Sequence, residues 1–444
     1  MPPVPTLLDR NQRWPRPVES PGFEEVDLAA PLGQAPPARR DSLAQALRLT
    51  IPPGARRSLG RRPVGTAGLG TLLSVSARQP ARTRREATSR PVRGRDARRG
   101  RRMFAMTIPG LAILLSGELG DENGLTVADS GFDGRADVVL FEAGRGKHGA
   151  AVDLELAEDV FVEVGRTLRS HGDNPRGIAQ RIWRPERVEQ ALSVWAELVA
   201  PLRAGMTFRV IARLLHERSF LRTELRRQFV TVIERDRSKW RVEDPAQLEV
   251  WVTEYRPGRF VAGFRLSDVR MRQRGGREVE RPGALRPVLA AAMVRLAGEP
   301  GGRLLDPCCG SGTVLREARR HGWEAMGSDI DLGAVEIARV NTGDVDVRVA
   351  DARRLDLDDA SVHAVGSNLP FGRRYGVEGS MEGWLRQVLA EMARVTVAGG
   401  RVVLLAPDIP RDVVASALLL KERHKLQLLG AKASLWVFDR MPDA

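Results

Sequence analysis

Three short stretches carry carboxylates at positions where they could hold a ligand, and each follows an apolar run. The first is DPCCGSGT at 306–313, in which Asp306 precedes a loop containing Gly310 and Gly312. Glycines at such a point let the backbone approach a ligand closely. A nicotinamide or flavin dinucleotide does not fit. The third glycine of its GxGxxG fingerprint is replaced by Leu315, and a carboxylate at the loop mouth repels a pyrophosphate while attracting a cation. No Walker-type lysine follows either. The second acid is Asp329, 17 residues after Gly312, where it can accept from both hydroxyls of a ribose. The third is Asp351, placed to accept from an adenine amino group. Taken singly, each acid reads as a solvated turn residue. Three at successive strand ends beside a glycine loop form a specific constellation, and S-adenosylmethionine, cationic at sulfonium and amine and carrying a ribose diol, suits it. Asp306, Gly310, Gly312, Asp329 and Asp351 are its first candidate contacts. Cys308, Ser311 and Thr313 within the loop, and Asn368 beyond it, are further ones. Cys308 and Cys309 otherwise read as small residues beneath the loop.

A fourth stretch, SNLPF at 367–371, ends the run SVHAVG. It resembles the Asn-Pro-Pro-Tyr type motif of methyltransferases that act on planar nitrogens, here as Asn368, Leu369, Pro370 and Phe371. The residue types suit that chemistry. The lone pair of a nucleobase exocyclic amine is delocalised into the ring, so the amine is a poor nucleophile. Acceptors on its N–H groups favour a pyramidal nitrogen and take up its developing charge. The Asn368 side-chain oxygen and the Leu369 carbonyl can supply them. Pro370 restrains the turn, and the Phe371 ring can stack on the base. Proximity and electrostatics then do most of the work, with no metal and no nucleophilic cysteine. The plain alternative is that SNLPF is only a turn. The motif does not choose among adenine N6, cytosine N4, guanine N2 and a glutamine amide.

These residues need elements to hold them. Five short apolar strands are expected at 303–308, 324–329, 345–351, 361–367 and 401–407, most of them separated by helical stretches. That alternation implies a parallel, doubly wound α/β sheet, Rossmann-like, with ligands outside the carboxyl ends of its strands. MEGWLRQVLAEMARV (381–395) is a helix that Gly399-Gly400 should stop. KLQLLG and SLWVFDR near the C-terminus suggest a terminal antiparallel hairpin. Upstream, RPERVEQALSVWAELVAPL (184–202) is an amphipathic helix, and LEVWVTEY and RFVAGFRLS are two strands joined by RPG.

Residues 104–275, through FRVIARLLHERSFLRTELRR, VEDPAQLEVWV and GFRLSD, resemble the paired ferredoxin-like and THUMP domains of RNA-modifying enzymes. With RPGALRPVLAAAMVRLA, DPCCGSGTVLREA and SNLPFG, the resemblance extends to the THUMP-domain tRNA guanine-N2 methyltransferases. It implies a ferredoxin-like domain at 103–175, a THUMP RNA-binding domain at 176–275 and a methyltransferase domain at 276–444. It also implies that the THUMP unit grips the tRNA acceptor end and presents one guanosine to the catalytic sheet. The residues agree in part. Arg203, Arg209, Arg213, Arg218, Arg222, Arg226 and Arg227 lie close together, and Arg213, Arg218, Arg222, Arg226 and Arg227 are candidate phosphate contacts. Solvated faces with internal ion pairs are the plainer reading of the same run. Arg373 and Arg374, just after the catalytic loop, are placed to hold the target nucleotide, which must be flipped out of a stem.

Charge and composition bound the rest. The net charge is +14, but residues 51–102 alone hold 15 arginines against Glu86 and Asp96, so the body is nearly neutral. The Arg/Pro-rich stretch 1–102 is expected to be disordered. It is either a basic arm that displaces counterions from RNA or an extension upstream of a start at Met103 or Met106. Two adjacent cysteines are too few for a zinc site. Neither a secretory signal nor a membrane span is visible, and a cytoplasmic, monomeric enzyme is the default expectation.

Overall fold

The computed structural model describes residues 100–442, apart from 123, 132–136, 145, 170–173, 269–278, 280–283, 371–379 and 429–430. The expectation for the Arg/Pro-rich stretch falls, up to residue 99, outside the described residues. Two sheets organise the rest.

The first sheet has eight strands in the order β2-β3-β1-β4-β8-β7-β5-β6. They are β1 (Arg101–Met106), β2 (Thr126–Asp129), β3 (Val138–Ala143), β4 (Asp159–Arg166), β5 (Thr207–Arg213), β6 (Arg241–Val242), β7 (Leu248–Arg256) and β8 (Arg259–Arg265). Strand β1 begins two residues before the expected boundary, with Arg101 opposite Ala143 and Arg102 opposite Glu142. Strand β4 pairs antiparallel with β8, so one continuous sheet runs from β1 through β8. Strands β7 and β8 form the hairpin expected around RPG. Helices α1 (Ala112–Gly117), α2 (Pro175–Ile182), α3 (Pro185–Leu198) and α4 (Arg222–Asp236) accompany this sheet. Helix α3 buries Val188, Ala191, Leu192, Val194 and Trp195, the stripe its apolar spacing dictates.

The second sheet has seven strands in the order β11-β10-β9-β12-β13-β15-β14. They are β9 (Arg303–Asp306), β10 (Glu324–Asp329), β11 (Asp346–Val349), β12 (Val362–Asn368), β13 (Thr396–Ala406), β14 (Leu418–Leu428) and β15 (Ala431–Arg440). Strands β9 to β13 are parallel, and β15 runs antiparallel between β13 and β14. Helices α5 (Pro287–Leu296), α6 (Thr313–Arg320), α7 (Leu332–Thr342) and α8 (Met381–Val395) complete this half. Strand β12 is central and largely buried, which explains its apolar sequence.

Two boundaries differ from the sequence reading. The strand expected at 345–351 ends at Val349, and Asp351 lies beyond it in a single bridge with Arg354. Helix α8 does not run to Gly399-Gly400. It ends at Val395, the Thr396 hydroxyl bonds the Met392 carbonyl at 2.6 Å, and β13 begins at once. Gly399 instead takes a left-handed φ of +79° inside the strand. A helix can end where β-branched residues enter a ladder, without a glycine cap.

Candidate active site

The parallel order brings the ends of β9, β10 and β12 to one edge. Asp306 closes β9, Asp329 closes β10 and Asn368 closes β12. Asp306 is 1% exposed. Its Oδ1 accepts from the Ser367 hydroxyl at 2.7 Å and from the Cys308 N–H at 3.2 Å. Burial lifts this carboxyl to about 7; the two donors pull it down, and the nearby Asp329 charge pushes it up. A buried acid with no cation among these partners suits a ligand that brings its own positive charge.

The glycine loop follows. Asp329 Oδ2 accepts from the Gly310 N–H at 2.9 Å, and Oδ1 from the Asp331 N–H at 3.0 Å. Gly310 has φ +53°, and a Cβ built on it would meet open space. The backbone there is open to close approach. Gly312, with φ +79°, does something else: a Cβ there would lie 2.8 Å from Thr342 Cγ2 and 3.3 Å from Ala338. Its absent side chain lets the loop pack on α7. Ser311 and Thr313 are buried, and the Ser311 carbonyl is held by Asn341 at 3.0 Å. Cys309 is buried and Cys308 half-buried. Burial, then the neighbouring Asp306 and Asp329, push both thiols up, so neither is a thiolate nucleophile.

Asp351 is not a free acceptor. Arg353 donates to both of its oxygens, with bonds of 2.6–3.1 Å, and holds the carboxyl below its usual range against some burial. An adenine amino group would have to share this carboxylate with Arg353, a pairing that the sequence reading missed. At Asn368 the situation is reversed. Its Oδ1 is buried and has no hydrogen-bond partner among the described residues. Leu369 is 2% exposed, and its N–H bonds the Leu405 carbonyl at 3.2 Å. Pro370 is half-buried. Phe371, Arg373 and Arg374 lie outside the described residues.

The arginines read as phosphate contacts separate into two groups. Arg213 pairs with Asp137 and Arg218 with Glu254, and both carboxylates are completely buried. Glu254 also accepts from the Leu215, His216 and Gly258 N–H groups. A buried carboxylate without its partner is costly, so these two arginines serve the interior rather than a ligand. Arg209 is likewise engaged, with Asp244 and Glu249. Arg222, Arg226 and Arg227 on α4 are exposed, with no carboxylate partner among the described residues. Helix α2, which packs on α4, adds exposed Arg176 and Arg181. The sequence held a signal for α2 in Asn174-Pro175: the Asn174 side chain accepts from the Gly177 N–H at 2.8 Å, with proline at the first helical position.

Residues 274–423 match the UPF0020 family, described as RMKL-like, methyltransferase domain. The chain is 33% identical over 157 residues to the tRNA (guanine(10)-N2)-dimethyltransferase of Methanothermobacter thermautotrophicus, covering 33% of this chain but only 46% of that protein. It is 29% identical over 307 residues to the tRNA (guanine(6)-N2)-methyltransferase of Thermus thermophilus, covering 66% of this chain and 86% of that one. Among solved structures, TrmN from Thermus thermophilus aligns with a TM-score of 0.61 and 25% identity, over 77% of this chain and 99% of that chain.

Proposed function

We propose, because residues 274–423 match the UPF0020 methyltransferase domain, that the chain uses S-adenosylmethionine to methylate the exocyclic N2 of a guanosine in tRNA. The observation that carries this reading is the orphaned Oδ1 of Asn368. A buried acceptor without a donor costs about 1–3 kcal/mol, and this one stands at the carboxyl edge, next in the chain to the Ser367 that bonds Asp306. The N–H of a planar amine satisfies it.

S-adenosylmethionine supplies a methyl group on a positively charged sulfur. Asp306, Gly310, Asp329 and Asp351 hold it, with the loop at Cys308, Ser311, Gly312 and Thr313 shaping its seat. Asn368 accepts from the target amine and orients its lone pair, and the Leu369 carbonyl is the second acceptor. Pro370 fixes the turn. Leu369 itself is buried in an apolar cluster with Leu305 and Leu404.

Residues 176–275 form the RNA-gripping unit of this reading, with the ferredoxin-like unit before it and the catalytic domain from 276 on. Arg222, Arg226 and Arg227 contact phosphates. The relatives' names speak of guanine N2 in tRNA, and that substrate class comes to this chain with them. We place the enzyme in the cytoplasm as a monomer that needs no metal. Among the described residues no helix is long and apolar enough to cross a membrane.

The test is mass spectrometry of digested tRNA from a deletion strain. Loss of one N2-methylated guanosine, restored by the purified protein, is the expected result. Loss of N6-methyladenosine would move the reading to adenine, and an unchanged tRNA profile would remove tRNA as the substrate.

A further inference from the structure

We propose that Ser367 is a positioning residue: its hydroxyl keeps the Asp306 carboxylate charged and oriented for the cofactor, and so ties the cofactor's floor to the strand that ends in Asn368. The inference rests on the reading of Asp306 as a cofactor contact. It goes beyond that reading by assigning the residue that makes Asp306 competent.

Ser367 is 0% exposed and Asp306 is 1% exposed. Strands β9 and β12 are adjacent, with Val365 opposite Leu305. That register lets Ser367 Oγ reach Asp306 Oδ1 at 2.7 Å. The other donor to this oxygen is the Cys308 N–H at 3.2 Å, a longer and weaker contact. A donor stabilises the ionised carboxylate, whereas burial favours the protonated form. Asp329, at the end of β10, opposes ionisation as a like charge. The thiols in the following loop, Cys308 and Cys309, are held neutral by the same burial and acids, so they add no further negative charge. Asp351, beyond β11, adds further negative potential at Cys308. The Ser367 hydroxyl is therefore the principal side-chain group favouring a charged Asp306 before the cationic cofactor arrives.

The signs follow. A cationic ligand binds the ionised form, so affinity falls as pH drops through the Asp306 midpoint, about 7 in this protein. Removing the Ser367 donor moves that midpoint up, and the acid limb of cofactor binding moves with it.

Calorimetric titration of S-adenosylmethionine across the range from about pH 5.5 to about pH 9 tests this with the full chain. Ser367→Ala should shift the acid limb upward by about one pH unit, the effect of losing one hydrogen bond to a charged group. That corresponds to roughly five-fold weaker binding near pH 7, converging with wild type at high pH. Ser367→Cys, a weaker donor of similar size, should lie between the two. Superimposable wild-type and Ser367→Ala limbs would overturn the proposal. Asp306→Asn serves as the separate control: it should bind weakly with no acid limb in this range. If it kept the wild-type limb and affinity, the assignment of Asp306 itself would fall.

Discussion

Asn368 keeps a buried oxygen without a donor, and Asp306 keeps a buried carboxyl without a cation. Both are unfavourable in the free protein, and both are relieved by the ligands proposed for them. If Asn368 accepts from the target amine, its bond strengthens as the nitrogen gains charge. Asn368→Ala should then lower the single-turnover rate by roughly 10²–10³-fold, as for loss of one preorganised transition-state hydrogen bond. Cofactor affinity, titrated separately, should barely change. Wild-type chemistry in that variant would mean that SNLPF is only a turn. Asp306 makes a different prediction. Its folded pKa, raised from 3.8 to about 7, means that the folded protein holds a proton more tightly than the unfolded chain. The resulting stability is fully present below about pH 4 and is lost as pH rises through about 7, to a total of about 4 kcal/mol. Asp306→Asn should therefore raise the Tm of cofactor-free protein at pH 8 more than at pH 5, while weakening S-adenosylmethionine binding. An equal effect at both pH values would show that Asp306 is not buried as a charge. The acids were legible in the sequence because each follows an apolar strand. Ser367 and Arg353 were not legible as partners, since their roles depend on β9–β12 register and on a local turn. Arg213 and Arg218 looked like free cations because Asp137 and Glu254, which claim them, are 76 and 36 residues away in the chain.

The loop between β9 and α6 uses its two glycines for different physical ends, which spacing alone does not reveal. Both have left-handed φ, so alanine at either position is strained by about 1–2 kcal/mol. At Gly310 the added methyl enters open space. Gly310→Ala should thus cost little beyond the backbone strain, and its main effect should be weaker cofactor binding. At Gly312 the methyl meets Thr342 and the Ala338 backbone on α7. Gly312→Ala should add a packing penalty of about 1–3 kcal/mol and lower Tm the more of the two. Thermal melts with parallel calorimetry check this, and an inverted ranking of Tm would reverse the two roles. The catalytic strands were legible because parallel strands buried on both faces read as short apolar runs. The end of α8 was not. Gly399-Gly400 looked like a stop signal, yet Thr396 and Val397 enter the strand first, and the glycines lie within β13 where its register against β12 shifts, with Gly400 close to the His363 carbonyl. The order of the first sheet was also beyond the sequence, because β1 finds its neighbours β3 and β4 across long separations.

At the scale of the molecule, the two sheets are joined by one apolar cluster that includes Val160 and Phe264 of the first sheet and Leu304 and Val403 of the second. Ion pairs cross the same junction: Glu158 with Arg286 at 2.6 Å and Glu155 with Arg320 at 3.7 Å. A bound RNA would therefore meet the α4 arginines and the Asn368 edge as parts of one body. The excess positive charge of the chain lies elsewhere, in residues 51–102, and its contribution can be separated by two deletions that differ by only three residues. Removing residues 1–99 takes away no described element, so Tm and cofactor affinity should match those of the full chain. Removing 1–102 also takes Gly100, Arg101 and Arg102. That deletes the β1–β3 pairs Arg101–Ala143 and Arg102–Glu142 and the Arg102 contact with Glu163. Each ladder bond is worth about 1 kcal/mol, so this deletion should lower Tm measurably. The shorter deletion is then the one to use for RNA. If the basic stretch touches tRNA, the plot of log affinity against log salt should be steeper for the full chain, by about 0.7–0.9 for each phosphate it neutralises. Parallel plots for the full chain and the 1–99 deletion would leave RNA binding, and its salt dependence, to the folded body alone.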